Sequence, residues 1–181
     1  MDAKDIERYL SLLGEELQAI VVQEPIQLLL VGGGYMLTQI GNRGLTGDID
    51  VFWMRPEMYA GSELYRVFEA TVGFVAFDEH LEDNWLSIGV GDFISVAGPL
   101  PKLKLWKKFA VIEVYLPPKG FILAHKLLAD REKDQGDIAV LCAQLHITTR
   151  KKAQKLLDKY IRRDIQEDYH MSRKLQGLFA K

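Results

Sequence analysis

The chain has a single cysteine, Cys142, in 181 residues, which excludes an intramolecular disulfide and any cysteine-rich zinc site. Cys142 falls in the helical pattern Ile138–Leu145 and reads as a core thiol rather than a nucleophile. No window approaches about 18 uninterrupted apolar residues, so no membrane span is expected. The first residues, MDAKDIERYL, are acidic and amphipathic and lack a signal-peptide apolar core. These absences point to a cytoplasmic protein with no membrane partner. There is no internal repeat, no low-complexity tract and no linker rich in proline, glycine or serine.

What is present is ample for a packed core: 48% apolar residues and eighteen aromatics, on a length of about one domain. The formal net charge of −2 hides an asymmetry. Residues 150–181 hold ten Lys/Arg against four Asp/Glu, and the first 149 hold thirteen against twenty-one. A basic C-terminal segment on an acidic body can hold nucleic acid or dock on its own domain. The expected division is residues 1–146 as the main domain and 147–181 as a basic helical extension packed on it.

The organising stretch is Leu28–Trp53, LLLVGGGYMLTQIGNRGLTGDIDVFW. Leu28–Val31 is an apolar run of strand length, followed by Gly32, Gly33 and Gly34. Tyr35–Ile40 can form a short helix, Gly41, Asn42 and Gly44 a loop, and Asp48–Phe52 a second strand. Alternate residues of a strand share a face, so Asp48 and Asp50 project together, about 7 Å apart at the backbone. Two carboxylates so placed can hold one divalent ion, or two, and hard oxygen ligands favour Mg²⁺ or Mn²⁺. Glycines opening a helix let a phosphate reach bare amide N–H groups. The competing reading is an ordinary strand–turn–helix unit followed by an exposed Asp pair.

Joined in this order, the residues resemble the nucleotidyltransferase superfamily, with its glycine pair and later Asp-x-Asp strand. They are most similar to minimal nucleotidyltransferases related to AbiEii-type toxins of bacterial abortive-infection and toxin–antitoxin pairs. That family's Arg-x-x-Thr-x-Asp-Ile-Asp is matched by Arg43, Thr46, Asp48 and Asp50. Either Gly32-Gly33 or Gly33-Gly34 can serve as the glycine pair. The family's second signature, Lys, then Arg, then Asp-x-x-Asp before an apolar run, is matched by Lys126, Arg131, Asp134 and Asp137.

The resemblance implies an α/β (α+β) nucleotidyltransferase fold, a short mixed sheet flanked by helices with a helical C-terminal extension. It implies transfer of a nucleotidyl group from a nucleoside triphosphate, with Mg²⁺ or Mn²⁺, to an RNA such as tRNA or to a protein. Asp48 and Asp50 would hold the metal, the glycines with Arg43 and Thr46 the nucleotide, and Lys126 its phosphate charge. Asp134 or Asp137 would help position the hydroxyl or metal. Many such enzymes add a third carboxylate on a neighbouring strand; Glu113 is the candidate, with Asp92 behind it. A cognate antitoxin is an implied partner. The rivals are an inert binding module of the same fold, and a nuclease or RNA-binding protein using the same acids.

Simpler readings accompany these. Asp134 is well placed to cap the helix that follows, with Asp137 beside its positive end. Glu113 can pair with Lys107 or Lys108 on a solvent-facing strand. His125 reads as partly buried packing, and the acidic turn around His80 as solvated. Elsewhere the pattern predicts helices over Lys4–Val22, from Pro56 to about Thr71, and from Thr149 to Asp168. It predicts strands over Phe74–Asp78, Trp85–Ile88, Asp92–Val96 and two within Leu103–Leu116.

Overall fold

The computed structural model describes residues 1–20, 24–54 and 61–179, with the backbone alone at Asp92. It is a mixed α/β protein, and among the described residues five strands form one open sheet. The chain divides into two compact units: Met1–Gly91 with Lys104–Leu116, and Asp92–Leu103 with Pro117–Lys181. Packing thus draws the division elsewhere than at residue 146.

The first unit holds the whole sheet, in the order β3-β2-β1-β5-β4. Its strands are β1 (Ile26–Leu30), β2 (Ile49–Trp53), β3 (Leu86–Ser87), β4 (Lys104–Phe109) and β5 (Ile112–Leu116). β1 runs antiparallel to β2 and parallel to β5, while β2 and β3 are parallel. β4 and β5 form a hairpin turned at Ala110, whose φ of 49° is left-handed.

Helix α1 (Ala3–Ala19) begins where Asp2 accepts from the amides of Lys4 and Asp5, and the Asp5 carboxylate accepts from the Asp2 amide. This reciprocal cap fixes the helix start. Its apolar stripe, Ile6, Leu10, Leu13 and Leu17, is fully buried. Alternation along the strands puts Leu28, Leu30, Ile49, Val51 and Trp53 on one face of the sheet, all buried. Helix α2 (Gly32–Tyr35) continues directly into a π-helical turn (Met36–Ile40). Helix α3 (Glu63–Asp78) is capped by the Ser62 hydroxyl, and its Phe68 packs on Trp53 with ring centroids 4.6 Å apart.

Gly14 marks where α1 meets the β4–β5 turn. A Cβ there would lie 2.0 Å from the Phe109 carbonyl oxygen, a backbone atom that cannot swing aside. Gly14→Ala is therefore expected to destabilise the protein by about 3 kcal/mol, at the upper end of overpacking costs. A urea-unfolding midpoint unchanged from wild type would contradict this packing.

The second unit is helical: α4 (Gly91–Ala97, entered from Gly91), α5 (Lys119–Ala129), α6 (Gln135–Gln144), α7 (Arg150–Tyr160), α8 (Arg163–Asp168) and α9 (Met171–Leu178). Almost every residue of α5 is buried.

Several expectations need correction. The helix after β1 starts at Gly32 rather than at Tyr35, and of the three glycines only Gly32 has the left-handed backbone of a turn. Phe74–Asp78 is the end of α3 and not a strand; Gly73 sits on the solvent side with nothing near it, so it costs about 1 kcal/mol without ending the helix. Asp92–Val96 lies in helix α4. The helix from Thr149 ends at Tyr160, because Ile161 is extended and buried and the next amide, Arg162 N–H, donates to Ala97 O at 2.7 Å. Val21 and Val22, and the Pro56 helix start, lie outside the described residues. β3 falls within the expected Trp85–Ile88, and β4 and β5 within Leu103–Leu116. Among the described residues no helix is long and apolar enough to cross a membrane.

Candidate functional site

In the first unit three separate sequence segments converge at the end of β1. Val31 N–H donates to Asp50 O at 3.0 Å, extending the β1–β2 ladder to the residue before the glycines. Gly32 follows with φ of 58°, a left-handed conformation that favours glycine. A Cβ on Gly32 would lie 2.0 Å from Asp50 Oδ2. The Asp50 carboxylate thus occupies the space that any other side chain at residue 32 would need.

Gly33 is just as closely enclosed. A Cβ there would lie 2.4 Å from Thr46 Oγ1 and 3.2 Å from an Arg43 guanidinium nitrogen. Gly34 turns inward instead, toward Leu30, Ile6 and Ile49. Of the two candidate glycine pairs, Gly32-Gly33 is the one facing the polar residues. The first amides of a helix have no partner within it, so this corner sets amides and a guanidinium beside a carboxylate.

The loop carrying Thr46 is held in place by backbone. Thr46 N–H donates to Met1 O at 3.0 Å, and the Met1 ammonium donates to Thr46 O at 2.9 Å. The Thr46 hydroxyl donates to Asp48 O at 3.1 Å. Asp48 precedes the strand, and both Asp48 and Asp50 are half-buried. Ser87 on β3 stands directly opposite Asp50 in the parallel register. Neither Met1 nor Ser87 is marked by the sequence motif; only strand pairing and a contact spanning 45 residues bring them in.

Glu113 lies elsewhere. It pairs with Gln27 in the β1–β5 register, four positions before Val31 on β1, with β5 and β2 on opposite sides of β1. That separation is about 13 Å along the strand and about 10 Å across it, too far to share an ion with Asp50. Its carboxylate accepts from Lys108 at 2.6 Å, Tyr115 at 2.8 Å and Gln27 at 3.1 Å. Those bonds, from Lys108 first, hold its pKa down to about 2. The expectation of a metal-binding Glu113 is thus corrected to a structural ion pair, and a largely covered one rather than a solvent-facing one. Among the described residues no group of three His, Cys, Asp or Glu side chains could hold a metal ion.

The second signature sits in the second unit and forms a buried cluster there. Lys126, on α5, is 7% exposed and donates to Asp134 at 2.5 Å, with Asp137 Oδ2 at 2.9 Å. Asp134 occupies the position before α6, but its side chain makes no cap bond. The lysine attracts it instead, because a buried ammonium without a carboxylate is far costlier than an uncapped amide. Arg131 lies outside the cluster, extended before the 3₁₀ turn Glu132–Asp134.

His125, next to Lys126, is buried and donates through Nδ1 to Phe121 O at 2.9 Å. A carbonyl only accepts, so the neutral ring carries its proton on Nδ1 and leaves Nε2 a buried acceptor with no partner among the described residues. Burial pushes its pKa down to about 4. Below about pH 6.5 the unfolded chain binds a proton that the folded chain refuses, so stability falls as pH drops from about 6.5 to about 4. The loss approaches about 3 kcal/mol at the acid end of that window. Replacing His125 with Leu should flatten this limb of the melting-temperature profile; an unchanged slope would contradict the assignment. Cys142 is half-buried, with its thiol pushed up by burial. His80 is exposed.

Comparison with family models, with curated proteins and with solved structures finds no match.

Proposed function

We propose that the first unit carries the site of a metal-dependent nucleotidyltransferase, which moves a nucleotidyl group from a nucleoside triphosphate to an RNA or protein hydroxyl. The observation that carries this reading is the convergence of Gly32, Gly33, Arg43, Thr46 and Asp50 at one corner of the sheet. Ordinary packing does not require a guanidinium, a hydroxyl and a carboxylate all to lean on a glycine pair.

In this reading the glycine amides and Arg43 bind the triphosphate. Arg43, whose guanidinium lies beside Gly33, supplies the offsetting charge, while the Lys126 ammonium lies against Asp134 and Asp137 in the second unit. Asp48 and Asp50 offer hard oxygen donors that suit Mg²⁺, which is commonly held by one or two carboxylates together with substrate phosphates. Such an ion, when bound, supplies charge stabilisation at the phosphoryl oxygens. The acceptor oxygen forms its bond to the α-phosphorus as the bond to pyrophosphate breaks, and a carboxylate of the pair takes the hydroxyl proton. Positioning and electrostatics supply most of the rate.

One observation favours a second reading: among the described residues no third His, Cys, Asp or Glu side chain joins Asp48 and Asp50 in a metal-holding group, so the corner also suits a nucleotide-binding module without catalysis. The two separate when protein, Mg²⁺ and a triphosphate are incubated with an end-labelled RNA while triphosphate binding is followed by calorimetry. Lengthened RNA is the expected result. Binding without lengthening identifies the inert module, and shortened RNA a hydrolase.

A further inference from the structure

Within the second unit, α7, α8 and α9 enclose an open groove lined by Gln154, Arg163, Gln166, His170, Arg173 and Gln176, among others. Its base is rigid. Gln166 is 5% exposed, donates to Ile161 O at 2.8 Å and accepts from Gln154 at 2.7 Å. Arg150 donates to the Ser172 hydroxyl at 2.8 Å, tying the start of α7 to the start of α9. Arg163, His170 and Arg173 are exposed on the walls. Arg163 is 3.2 Å from Asp158, a pair open to solvent that leaves guanidinium donors to spare. Glu167 is the one acid among the described lining residues.

Beside the groove, Lys151, Lys155 and Lys159 stand exposed at every fourth residue of α7, a ladder rising about 6 Å per rung. Guanidinium forks match phosphate oxygens, and neutral amides and hydroxyls commonly complete backbone contacts to nucleic acid. No phenylalanine, tyrosine or tryptophan ring is among the described lining residues, so His170 is the one ring there on which a base could stack. We propose that this groove and its lysine ladder bind the phosphodiester backbone of a nucleic-acid strand, without reading its sequence. This deepens the proposed transfer by giving the second unit the task of holding a nucleic-acid acceptor, yet it needs no triphosphate and is tested without one.

The test is fluorescence anisotropy of the full chain with a labelled 12-nucleotide oligouridylate, repeated with oligothymidylate, across 50–200 mM KCl. The variants are Arg163→Gln/Arg173→Gln, Lys151→Gln/Lys155→Gln and, as a charge-matched control in the first unit, Lys4→Gln/Arg66→Gln. Wild type should bind, with affinity falling steeply with salt. Each groove or ladder pair should weaken binding at least about tenfold at 50 mM and reduce the salt slope by about 1.4, the value for two lost single-strand phosphate contacts. The control should bind like wild type, and so should Asp48→Asn/Asp50→Asn, which separates this proposal from the transfer reading. Preference between the two oligomers tells RNA from DNA as the strand. Wild type that fails to bind either oligomer, groove and ladder variants that bind unchanged, or a control that loses as much as they do would overturn the proposal. Equal binding of polyglutamate would do so too, by showing only a general affinity for anions.

Discussion

Asp50→Asn is expected to lower nucleotidyl transfer by about 10³-fold or more, the scale on which preorganised electrostatic groups act, in a protein that still folds. The side chain keeps its shape and still fits against Gly32, but the charge that would hold a metal and take a proton is gone. Asp48→Asn should lose activity as well. Thr46→Val should lose less, because Met1 holds the loop by backbone bonds that the substitution leaves intact. Steady-state rates at saturating Mg²⁺ and triphosphate, set beside urea-unfolding curves, make the comparison. An Asp50→Asn protein that transfers at the wild-type rate would remove Asp50 from the chemistry.

Lys126→Met should destabilise the protein by about 3–5 kcal/mol, the cost of removing one partner from a buried ion pair. Here the change takes the ammonium away from two buried carboxylates at once, Asp134 and Asp137. Replacing all three with apolar residues, Lys126→Met/Asp134→Leu/Asp137→Leu, should recover much of that loss, since well-packed apolar groups often replace buried ions at little cost. Unfolding in urea measures both. A Lys126→Met protein as stable as wild type would show that the ammonium is not what balances these acids. It would also free Lys126 for a part in phosphate binding.

The sequence made some elements legible and hid others for physical reasons. Helix α1 was plain because its apolar stripe has the helical period; the cap at Asp2 came only with the structure. Strands β1 and β2 were plain because short apolar runs were flanked by loop residues. The glycine run read as a turn throughout because glycine is a poor helix former, whereas the left-handed turn is confined to Gly32, and Gly33 and Gly34 continue as helix. Phe74–Asp78 and Asp92–Val96 looked like strands because short apolar runs do not distinguish a strand from a helix. The break at Ile161 comes from burial and from Arg162 bonding to Ala97, which no local pattern encodes.

The site was legible in kind more than in detail. Arg43, Thr46, Asp50 and the glycines were named from one motif, and of these Gly32 and Gly33 meet the three polar side chains at one corner while Gly34 faces the core. Ser87 and Met1 were invisible, since pairing across the sheet and a long-range backbone contact bring them there. Glu113 was misplaced because strand membership is readable from sequence while strand order and register are not; β5 lies two strands from β2, beyond β1. Asp134 looked like a cap because its position is that of a cap, and only the depth of Lys126 shows where its charge goes.

The most direct measurement of the central claim is transfer of label from each α-³²P nucleoside triphosphate, with Mg²⁺, into tRNA or protein, by wild type and by Asp48→Ala/Asp50→Ala side by side. Label in an acceptor with the wild type alone is the predicted result. No label from any triphosphate with a folded wild-type protein, or equal label with both proteins, would contradict it.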